Sequence, residues 1–221
     1  MAEPTFGIGS DLSSLGELEP GQVITLLEGL DPGDEGIADV DINDLAEALD
    51  PTRFSNTEFV RVLSAINTLA DGGADLDLSK MDPDNFARLI SRASKEHINA
   101  IVNEPRLRQR IFDEIFSRMR RHYRSERARS INAVVHWRIS GGSGEGGYDR
   151  YESVLADGEC RVNREMTGKP RATITVGPAD FMRIITRNVA PPVLFMTGKL
   201  RVRGDLAFAA GLMNLFDLPS A

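Results

Sequence analysis

The residue types that most often carry catalysis are few in this chain and form no recognisable set. There is one cysteine, Cys160, and three histidines, His97, His122 and His136. No histidine lies at metal-ligand spacing from the cysteine or from another histidine, and there is no Gly-x-Ser-x-Gly motif. Cys160 occupies an apolar strand position, which is typical of a buried thiol. We therefore predict no catalytic residues, no cofactor and no enzymatic activity.

Acidic side chains in the first quarter of the chain suit either a metal site or helix starts. Asp39, Asp41, Asn43 and Asp50 match positions 1, 3, 5 and 12 of a calcium-binding loop. However, position 6 is Asp44, where that loop needs Gly, and position 12 is not Glu. Acid–Pro pairs recur along the same half, and an acid followed by Pro is typical of a helix start. We favour helix caps and predict no metal, with calcium as the alternative.

A cluster of nine arginines accompanies a strongly helical segment, residues 104–127. Leu107, Ile111, Ile115 and Met119 recur every four residues, which predicts one buried stripe. The arginines occupy the remaining positions: Arg106, Arg108, Arg110, Arg118, Arg120, Arg121, Arg124, Arg127 and Arg129. This basic face is either simply solvated or binds anionic lipid headgroups or the phosphates of a ligand such as coenzyme A. The candidate headgroup or phosphate ligands are Arg120, Arg121 and Arg124. Nucleic acid is disfavoured because no exposed aromatics interleave the arginines.

Hydrophobic periodicity divides the chain into a helical part and a mixed part. Capping signals and apolar repeats predict helices near 20–29, 42–49, 56–70, 83–92, 95–102 and 105–127. From Ile131 the period changes from 3.6 to 2, which predicts strands near 131–139, 148–156, 159–166, 171–176 and 199–203, with a helix opened by Pro178. Asp157-Gly158 is a hairpin signal. We expect the first four strands to form an antiparallel meander.

The last predicted helix is apolar on every face. Residues 206–213 contain almost no polar side chain, and such a helix must be buried on all sides. Because protein usually covers only one side at the end of a small domain, the other side is expected to face an apolar ligand, a partner or a membrane.

The run from Phe195 to Asp205, with the apolar helix ending Leu212-Met213-Asn214-Leu215-Phe216, resembles the signature of the sterol carrier protein type-2 family. The order of elements over 104–221 is also similar. The resemblance implies an α/β (α+β) fold: a five-stranded, mostly antiparallel sheet covered by helices around a hydrophobic tunnel. It further implies a non-enzymatic carrier of fatty acids, fatty acyl-CoA, sterols or similar lipids. The small all-α region before it resembles N-terminal extensions of bacterial, especially actinobacterial, members.

By position, the resemblance implies a tunnel closed by the C-terminal helix and lined by apolar side chains. The expected lining residues are Trp137, Met182, Ile185, Val193, Phe195, Met196, Phe208, Leu212, Met213 and Phe216. The alternatives are a protein-interaction module, with the acidic helices docking a partner protein, or an acyl-CoA-binding accessory subunit of a lipid-metabolising enzyme.

Net charge supports the division into parts. The 221 residues carry a net charge of −7, but residues 1–103 carry −14 and residues 104–221 carry +7. We expect a flexible tail (1–17), an acidic helical domain (18–103) and a lipid-binding domain (104–221). The chain as a whole is not a nucleic-acid binder, whereas its basic half can meet an anionic membrane. With one cysteine and no export or membrane-spanning segment evident, we expect a cytoplasmic protein.

Overall fold

The chain folds as two compact units. A computed structural model describes residues 15–33, 37 and 40–217. The units are Met1–Ile111, called here the N-terminal unit, and Phe112–Ala221, called here the C-terminal unit. The division falls inside the helix Pro105–Arg121, whereas the change of charge suggests a boundary near Asn103. The first two turns of this basic helix therefore group with the acidic helices that precede them.

Helices make up the regular structure described in the N-terminal unit. They are α1 (Pro20–Gly29), α2 (Ile42–Ala48), α3 (Asn56–Asp71), α4 (Pro83–Arg92), α5 (Lys95–Asn103) and the start of α6 (Pro105–Arg121), with 3-10 turns at Pro51–Arg53 and Leu78–Lys80. The bounds of α1 to α5 lie within one residue of those predicted from caps and periodicity. Helix α6 ends six residues earlier than predicted, and a short helix, α7 (Ser125–Ala128), follows it.

The core of the N-terminal unit lies between the apolar stripes of these helices. Helix α3 packs against α1 and α5, and Val62 at its centre is fully buried. His97 is also buried: its ring lies edge-on to Phe59, with centroids 5.4 Å apart, and its Nε2 is 2.9 Å from the carbonyl oxygen of Phe54. This histidine is therefore part of the packing.

Two of the acids considered for calcium are helix caps. Asp41 accepts the Asn43 amide hydrogen at 2.8 Å at the start of α2. Asp50 accepts the Thr52 amide hydrogen at 3.0 Å at the start of a 3-10 turn. Asp39 lies outside the described residues. Each cap satisfies an amide that the helix leaves without a partner, which explains why acids recur at these places.

The chain already packs against the N-terminal unit before residue 18. Leu15 is fully buried, and the Arg53 guanidinium donates to the carbonyl oxygens of Gly16 and Leu18. The expected flexible tail of 1–17 therefore does not include Leu15 and Gly16. The rest of that segment, residues 1–14, lies outside the described residues.

A five-stranded sheet forms the centre of the C-terminal unit. Its strands are β1 (Ala133–Ser140), β2 (Tyr148–Ala156), β3 (Glu159–Asn163), β4 (Ala172–Val176) and β5 (Leu200–Gly204), in the order β3-β2-β1-β4-β5. All neighbours are antiparallel except β1 and β4, which are parallel. The sheet is mostly antiparallel, as expected, but the predicted four-strand meander is wrong at β4. The chain crosses from β3 to the far side of β1, which places Ile174 beside Trp137 on the apolar face.

The two faces of the sheet differ sharply. On one face Trp137 lies between Tyr151 and Ile174 of the neighbouring strands, and all three are buried. On the other face His136 lies between Glu152 and Thr173. The strict period of two in β1 thus gives one apolar face and one polar face.

A buried polar network holds a loop on the polar face. The Glu152 carboxylate, fully buried, accepts the Gly168 amide hydrogen at 2.7 Å and an amide hydrogen of Asn163 at 3.3 Å. Its Oε2 is also 3.1 Å from His136 Nε2. Burial opposes ionisation of Glu152, but together these hydrogen bonds outweigh it and lower its pKa. Glu152 therefore anchors the β3–β4 connection while charged.

The C-terminal elements are α8 (Pro178–Ile185), α9 (Pro191–Met196), α10 (Leu206–Gly211) and a 3-10 turn, Leu212–Leu215. The final apolar run forms a shorter helix than predicted, and protein covers only part of it. Helix α10 has six residues, none of them buried, and burial resumes only at Leu212 and Phe216. The physical reason is its position: α10 follows the edge strand β5 and makes its main contacts in the sheet with β4 and β5, which leaves much of its surface exposed.

Candidate functional site

An aromatic cluster covers the apolar face of the sheet. Phe116 of α6 stacks on Tyr151, with ring centroids 3.9 Å apart, and on Phe181 of α8 at 5.5 Å. Trp137 lies edge-on to Phe116 at 5.8 Å and 5.7 Å from Phe181. The Trp137 indole nitrogen donates to Ser153 Oγ at 3.0 Å. The cluster therefore joins two helices and the sheet, and its one polar atom on Trp137 is satisfied.

Five of the predicted lining residues are buried in the C-terminal unit. They are Trp137, Met182, Ile185, Leu212 and Phe216. Trp137 meets Phe181 of α8, the helix that also carries Met182 and Ile185. Phe216 pairs with Tyr123, with 5.5 Å between the ring centroids, and so lies beside the residues that follow α6. These five side chains lie in the interior of the C-terminal unit.

Three other predicted lining residues point to solvent instead. Val193, Phe195 and Met196 are 53%, 42% and 85% exposed. In helix α9 only Leu194 is buried, because a helix of six residues presents one face to β5 and leaves the others free. The expectation that the 193–196 segment lines a tunnel is therefore wrong for this structure.

The last two predicted lining residues, Phe208 and Met213, are half-buried. The Arg171 guanidinium lies over the Phe208 ring, 4.4 Å from its centroid. Arg171 also pairs with Asp205 at 2.8 Å, and Asp205 caps α10 through the Phe208 amide. Phe208 is thus held at the rim of the unit by a cation–π contact.

A cavity of about 220 Å³ opens between α6 and strands β2 and β3. It is lined by Asp113, Phe116, Ser117, Arg120, Tyr151, Val162, Asn163 and Arg164. The Tyr151 hydroxyl donates to Asp113 at 3.2 Å, and Arg164 pairs with Asp113 at 2.5 Å while lying over the Tyr151 ring. Burial raises the pKa of the Tyr151 phenol well above its ordinary value. The cavity therefore combines the Phe116 and Tyr151 rings with two arginines and one carboxylate, so its lining carries a net positive charge.

Sequence reasoning did not single out Tyr151, Asp113 or Arg164. Tyr151 and Ser153 do carry a signal, because they alternate with Leu155 at the period of two that marks the inward face of β2. Arg164 carries none: it lies just beyond β3 and reaches Asp113 across 51 positions of sequence.

The three arginines predicted to bind a headgroup or phosphate differ in their surroundings. Arg121 pairs with Glu114 at 2.5 Å, and Arg124 pairs with Asp217 at 2.6 Å. Arg120 is exposed and lines the cavity, and it forms no ion pair among the described residues. Arg120 is therefore the one of the three whose charge is open to a ligand.

The single cysteine is not placed for chemistry. Cys160 is buried, and burial raises the pKa of its thiol to about 12, so it stays protonated at neutral pH. Within the described ranges, no cluster of histidine, cysteine and acidic side chains is arranged to hold a metal ion. The same ranges hold no helix with the length and apolar character of a membrane span.

Comparison with known proteins assigns the C-terminal unit. A model of the SCP-2 sterol transfer family matches residues 112–217. No curated protein is significantly similar to the chain.

Three solved structures are similar in parts. Sterol carrier protein 2 like 2 from Aedes aegypti is 21% identical over 49% of this chain and 94% of its own, with a TM-score of 0.39. A UbiJ-SCP2 ubiquinone synthesis protein is 18% identical over 51% and 89%, with a TM-score of 0.38. The sec-alkylsulfatase Pisa1 from Pseudomonas sp. is 12% identical over 95% of this chain and 30% of its own, with a TM-score of 0.40. The match to the SCP-2 sterol transfer family therefore covers 106 of the 221 residues, all of them in the C-terminal unit.

Proposed function

We propose that the C-terminal unit binds a lipid and carries it without transforming it, in the cytoplasm. The observation that carries this proposal is the match of residues 112–217 to the SCP-2 sterol transfer family. The aromatic cluster on one face of the sheet supports it, because it supplies the apolar surface that such a ligand needs.

The 220 Å³ cavity is the proposed position of the ligand's polar end. Its volume is below the roughly 300–1,000 Å³ of pockets that enclose a small-molecule ligand. A long apolar chain therefore requires the interior to open further, between the sheet and the buried side chains of Met182, Ile185, Leu212 and Phe216. Adaptable methionine side chains favour such rearrangement.

The C-terminal segment is the part best suited to move. Between Asp205 and Asp217, only Leu212 and Phe216 are buried. Segments with few buried apolar contacts open at a lower free-energy cost than the rest of a domain. We infer that residues 206–217 act as the closure over the bound chain, with Phe216 as the anchor.

A fatty acid or fatty acyl-CoA fits the cavity better than a sterol. Arg120 is exposed and lines the cavity without an ion pair among the described residues, whereas the second arginine of the lining, Arg164, is paired with Asp113. A guanidinium binds a carboxylate or a phosphate through charge-assisted hydrogen bonds, whereas a sterol hydroxyl needs no cation. Ten buried methylenes contribute about 8 kcal/mol before ordering costs, enough for roughly micromolar affinity.

Energy transfer from Trp137 tests both the binding and its place. Trp137 is the only tryptophan and lies in the aromatic cluster. A dansyl-labelled fatty acid is titrated into the full chain, and Trp137 emission is expected to fall saturably and recover on adding unlabelled fatty acid. Native mass spectrometry of the purified protein identifies any lipid that it already holds.

Two variants distinguish a direct contact between Arg120 and the ligand's polar end from a general effect of the protein's positive charge. Arg120→Gln is expected to weaken binding about tenfold, because one charge-assisted contact is lost. Arg127→Gln, an exposed arginine that does not line the cavity, is the matched control and should leave the affinity unchanged. A chain that neither co-purifies with lipid nor quenches saturably contradicts the proposal.

Protein interaction through the acidic helices remains the second proposal. The net charge of −14 over residues 1–103 supports it, since such a surface attracts a basic partner. In that case the lipid-binding unit serves as an accessory to a lipid-metabolising enzyme. Affinity capture with the full chain and with a variant neutralised at Asp84 and Glu96, both on helix surfaces, tests this alternative.

A further inference from the structure

The exposed large apolar side chains are concentrated in one short stretch. Among the described residues, the four that are most exposed are Val193, Phe195, Met196 and Leu206. Three lie on α9, and Val193 and Met196 share a face because they are three positions apart. The fourth begins α10, directly after β5. Exposed apolar side chains confined in this way mark an interaction surface.

Basic side chains interrupt this stretch, and acids are missing from it. Lys199, Arg201 and Arg203 are exposed, and none forms an ion pair within the described part of the chain. No acidic residue occurs between Asp180 and Asp205. The exposed apolar and basic positions of the segment from Val193 to Leu206 are called here the α9–β5 surface: Val193, Phe195, Met196, Lys199, Arg201, Arg203 and Leu206.

Hydrogen bonds hold the apolar and basic parts in a fixed relation. The Gly198 amide donates to the Phe195 carbonyl at 3.1 Å, and the Lys199 amide donates to the Leu194 carbonyl at 2.9 Å. Gly198 has a φ of +73°, which suits glycine and allows this tight reversal. Helix α9 therefore runs directly into β5, with Met196 only three residues from Lys199.

The neighbouring strands add further positive charge on the polar face. Arg201 lies opposite Thr175 of β4, and Thr175 lies opposite Arg138 of β1. Arg138 lies opposite Arg150 of β2, although like charges directly opposite each other are unfavourable. The Nε atoms of Arg138 and Arg150 are buried without a hydrogen-bond partner. Arg150 pairs with Glu145 at 2.6 Å, which offsets part of this repulsion. An anionic surface would therefore act mainly on Arg138 and Arg201.

We propose that the α9–β5 surface docks the protein on an anionic lipid bilayer. The inference rests on the proposed function, since a carrier must meet the membrane with which it exchanges lipid. Apolar side chains beside Lys and Arg are typical of segments that lie in the interface of a membrane. The core of a protein–protein interface is instead depleted of charged side chains, of Lys in particular.

Vesicle sedimentation with the full chain tests the proposal. The vesicles contain either phosphatidylcholine alone or about one-third phosphatidylserine, and each basic residue near an anionic surface contributes about fivefold in affinity. The wild type is expected to bind the anionic vesicles, and high salt should weaken this binding. The triple variant K199Q/R201Q/R203Q should lose at least tenfold, and F195S/M196S should also lose affinity.

The matched control removes the same charge elsewhere in the C-terminal unit. In R127Q/R129Q/K169Q the three exposed residues lie outside the α9–β5 surface, and vesicle affinity should stay within about twofold. Equal losses in both triple variants, equal binding to neutral vesicles, or no binding at all would overturn the proposal. A polyglutamate peptide serves as the probe for an acidic protein partner. If the wild type binds this peptide and K199Q/R201Q/R203Q loses that binding but still binds vesicles, the surface recognises an acidic protein and the proposal is overturned.

The dansyl fatty acid titration without vesicles separates the two proposals. Both docking variants should bind the fatty acid as the wild type does, because none of their changes touches the interior. If the wild type binds anionic vesicles through this surface but no fatty acid, the carrier proposal fails and the docking surface stands. If the wild type binds the fatty acid but no vesicles, the docking surface fails and the carrier proposal stands.

Discussion

The two units of this chain are built by different kinds of interaction. In the N-terminal unit, short polar side chains cap several helix starts: Ser55 and Ser94 each accept the amide three residues on. In the C-terminal unit, α8 and α9 begin at Pro178 and Pro191 without a side-chain cap. Their positions come from packing on the sheet. One unit is therefore specified by neighbours in sequence and the other by pairing across long separations.

The charges follow the same division. In the N-terminal unit, ion pairs such as Arg61–Glu28 lie at the surface, where each contributes little to stability. In the C-terminal unit, Glu152 is buried and holds a loop through three contacts. The charged pairs of the first unit therefore lie at its surface, whereas the buried Glu152 carboxylate of the second holds the β3–β4 connection in place.

The largest expected effect is on the aromatic cluster. Phe116→Ala removes a fully buried ring that touches Tyr151, Phe181 and Trp137, and should lower the free energy of unfolding by about 3–5 kcal/mol. Urea unfolding followed by Trp137 emission measures it. Phe195→Ala, at an exposed position of the same unit, is the control and should have little effect. Comparable losses in both variants would show that the cluster does not hold this unit together.

The next effect concerns Glu152. Glu152→Gln keeps the shape but replaces one of the two acceptor oxygens with a donor, so the hydrogen bond from Gly168 or from Asn163 is lost. The change should cost roughly 1–3 kcal/mol near neutral pH. Because the folded-state pKa of Glu152 is lowered, the carboxylate's contribution is complete above the unfolded value of about 4.3 and is lost as pH falls through the lowered pKa.

The difference between wild type and Glu152→Gln should therefore shrink when urea midpoints are measured at successively lower pH. Glu159→Gln, an exposed acid on the adjoining strand β3, is the control. A difference that stays constant with pH would show that shape, not charge, holds the loop.

A smaller effect is expected at a helix cap. The Ser55 hydroxyl accepts the Glu58 amide hydrogen, and the Glu58 carboxylate accepts that of Ser55. Ser55→Ala should cost about 1 kcal/mol, measured by thermal unfolding with circular dichroism. Ser64→Ala, in the interior of the same helix, should be neutral or slightly stabilising. If both serines behave alike, local capping is not what starts α3.

The smallest effect is expected from an exposed ion pair. Glu28→Gln breaks the contact with Arg61, whose Nη2 lies 2.6 Å from Glu28 Oε2. The pair lowers the pKa of Glu28 mainly through this hydrogen bond, but solvent and salt screen it. The unfolding midpoint should change less than in Ser55→Ala, and the change should vanish at high salt. A loss of stability that persists at high salt would show that solvent does not screen this pair, as expected for a buried carboxylate such as Glu152.

Prediction from sequence was most accurate where the signals are local. Helices α1 to α5 begin at acids, serines and prolines, and their predicted bounds lie within one residue of the observed ones. The alternation through Trp137 and Ile139 correctly predicts β1 and its apolar face. These features depend on side chains a few positions apart, so neighbouring residues are sufficient to specify them.

Prediction failed where distant partners decide. The apolar run 206–216 predicts one continuous helix, yet α10 ends at Gly211, and its residues are exposed or half-buried because it packs mainly at the edge of the sheet. Val193, Phe195 and Met196 are exposed for a similar reason. The cavity joins Arg120 of α6 to Arg164 beyond β3, and nothing within either segment indicates the other.

The sequence by itself determined the helical N-terminal unit, the apolar face of β1 and the resemblance to lipid carriers, because these depend on caps, periods and a contiguous signature. Only the tertiary structure decided that β4 pairs in parallel with β1, that Arg120 keeps its charge open, and that the apolar residues of α9 face outward. Strand order, ion pairing and exposure depend on which surfaces are already covered, and composition alone does not specify that.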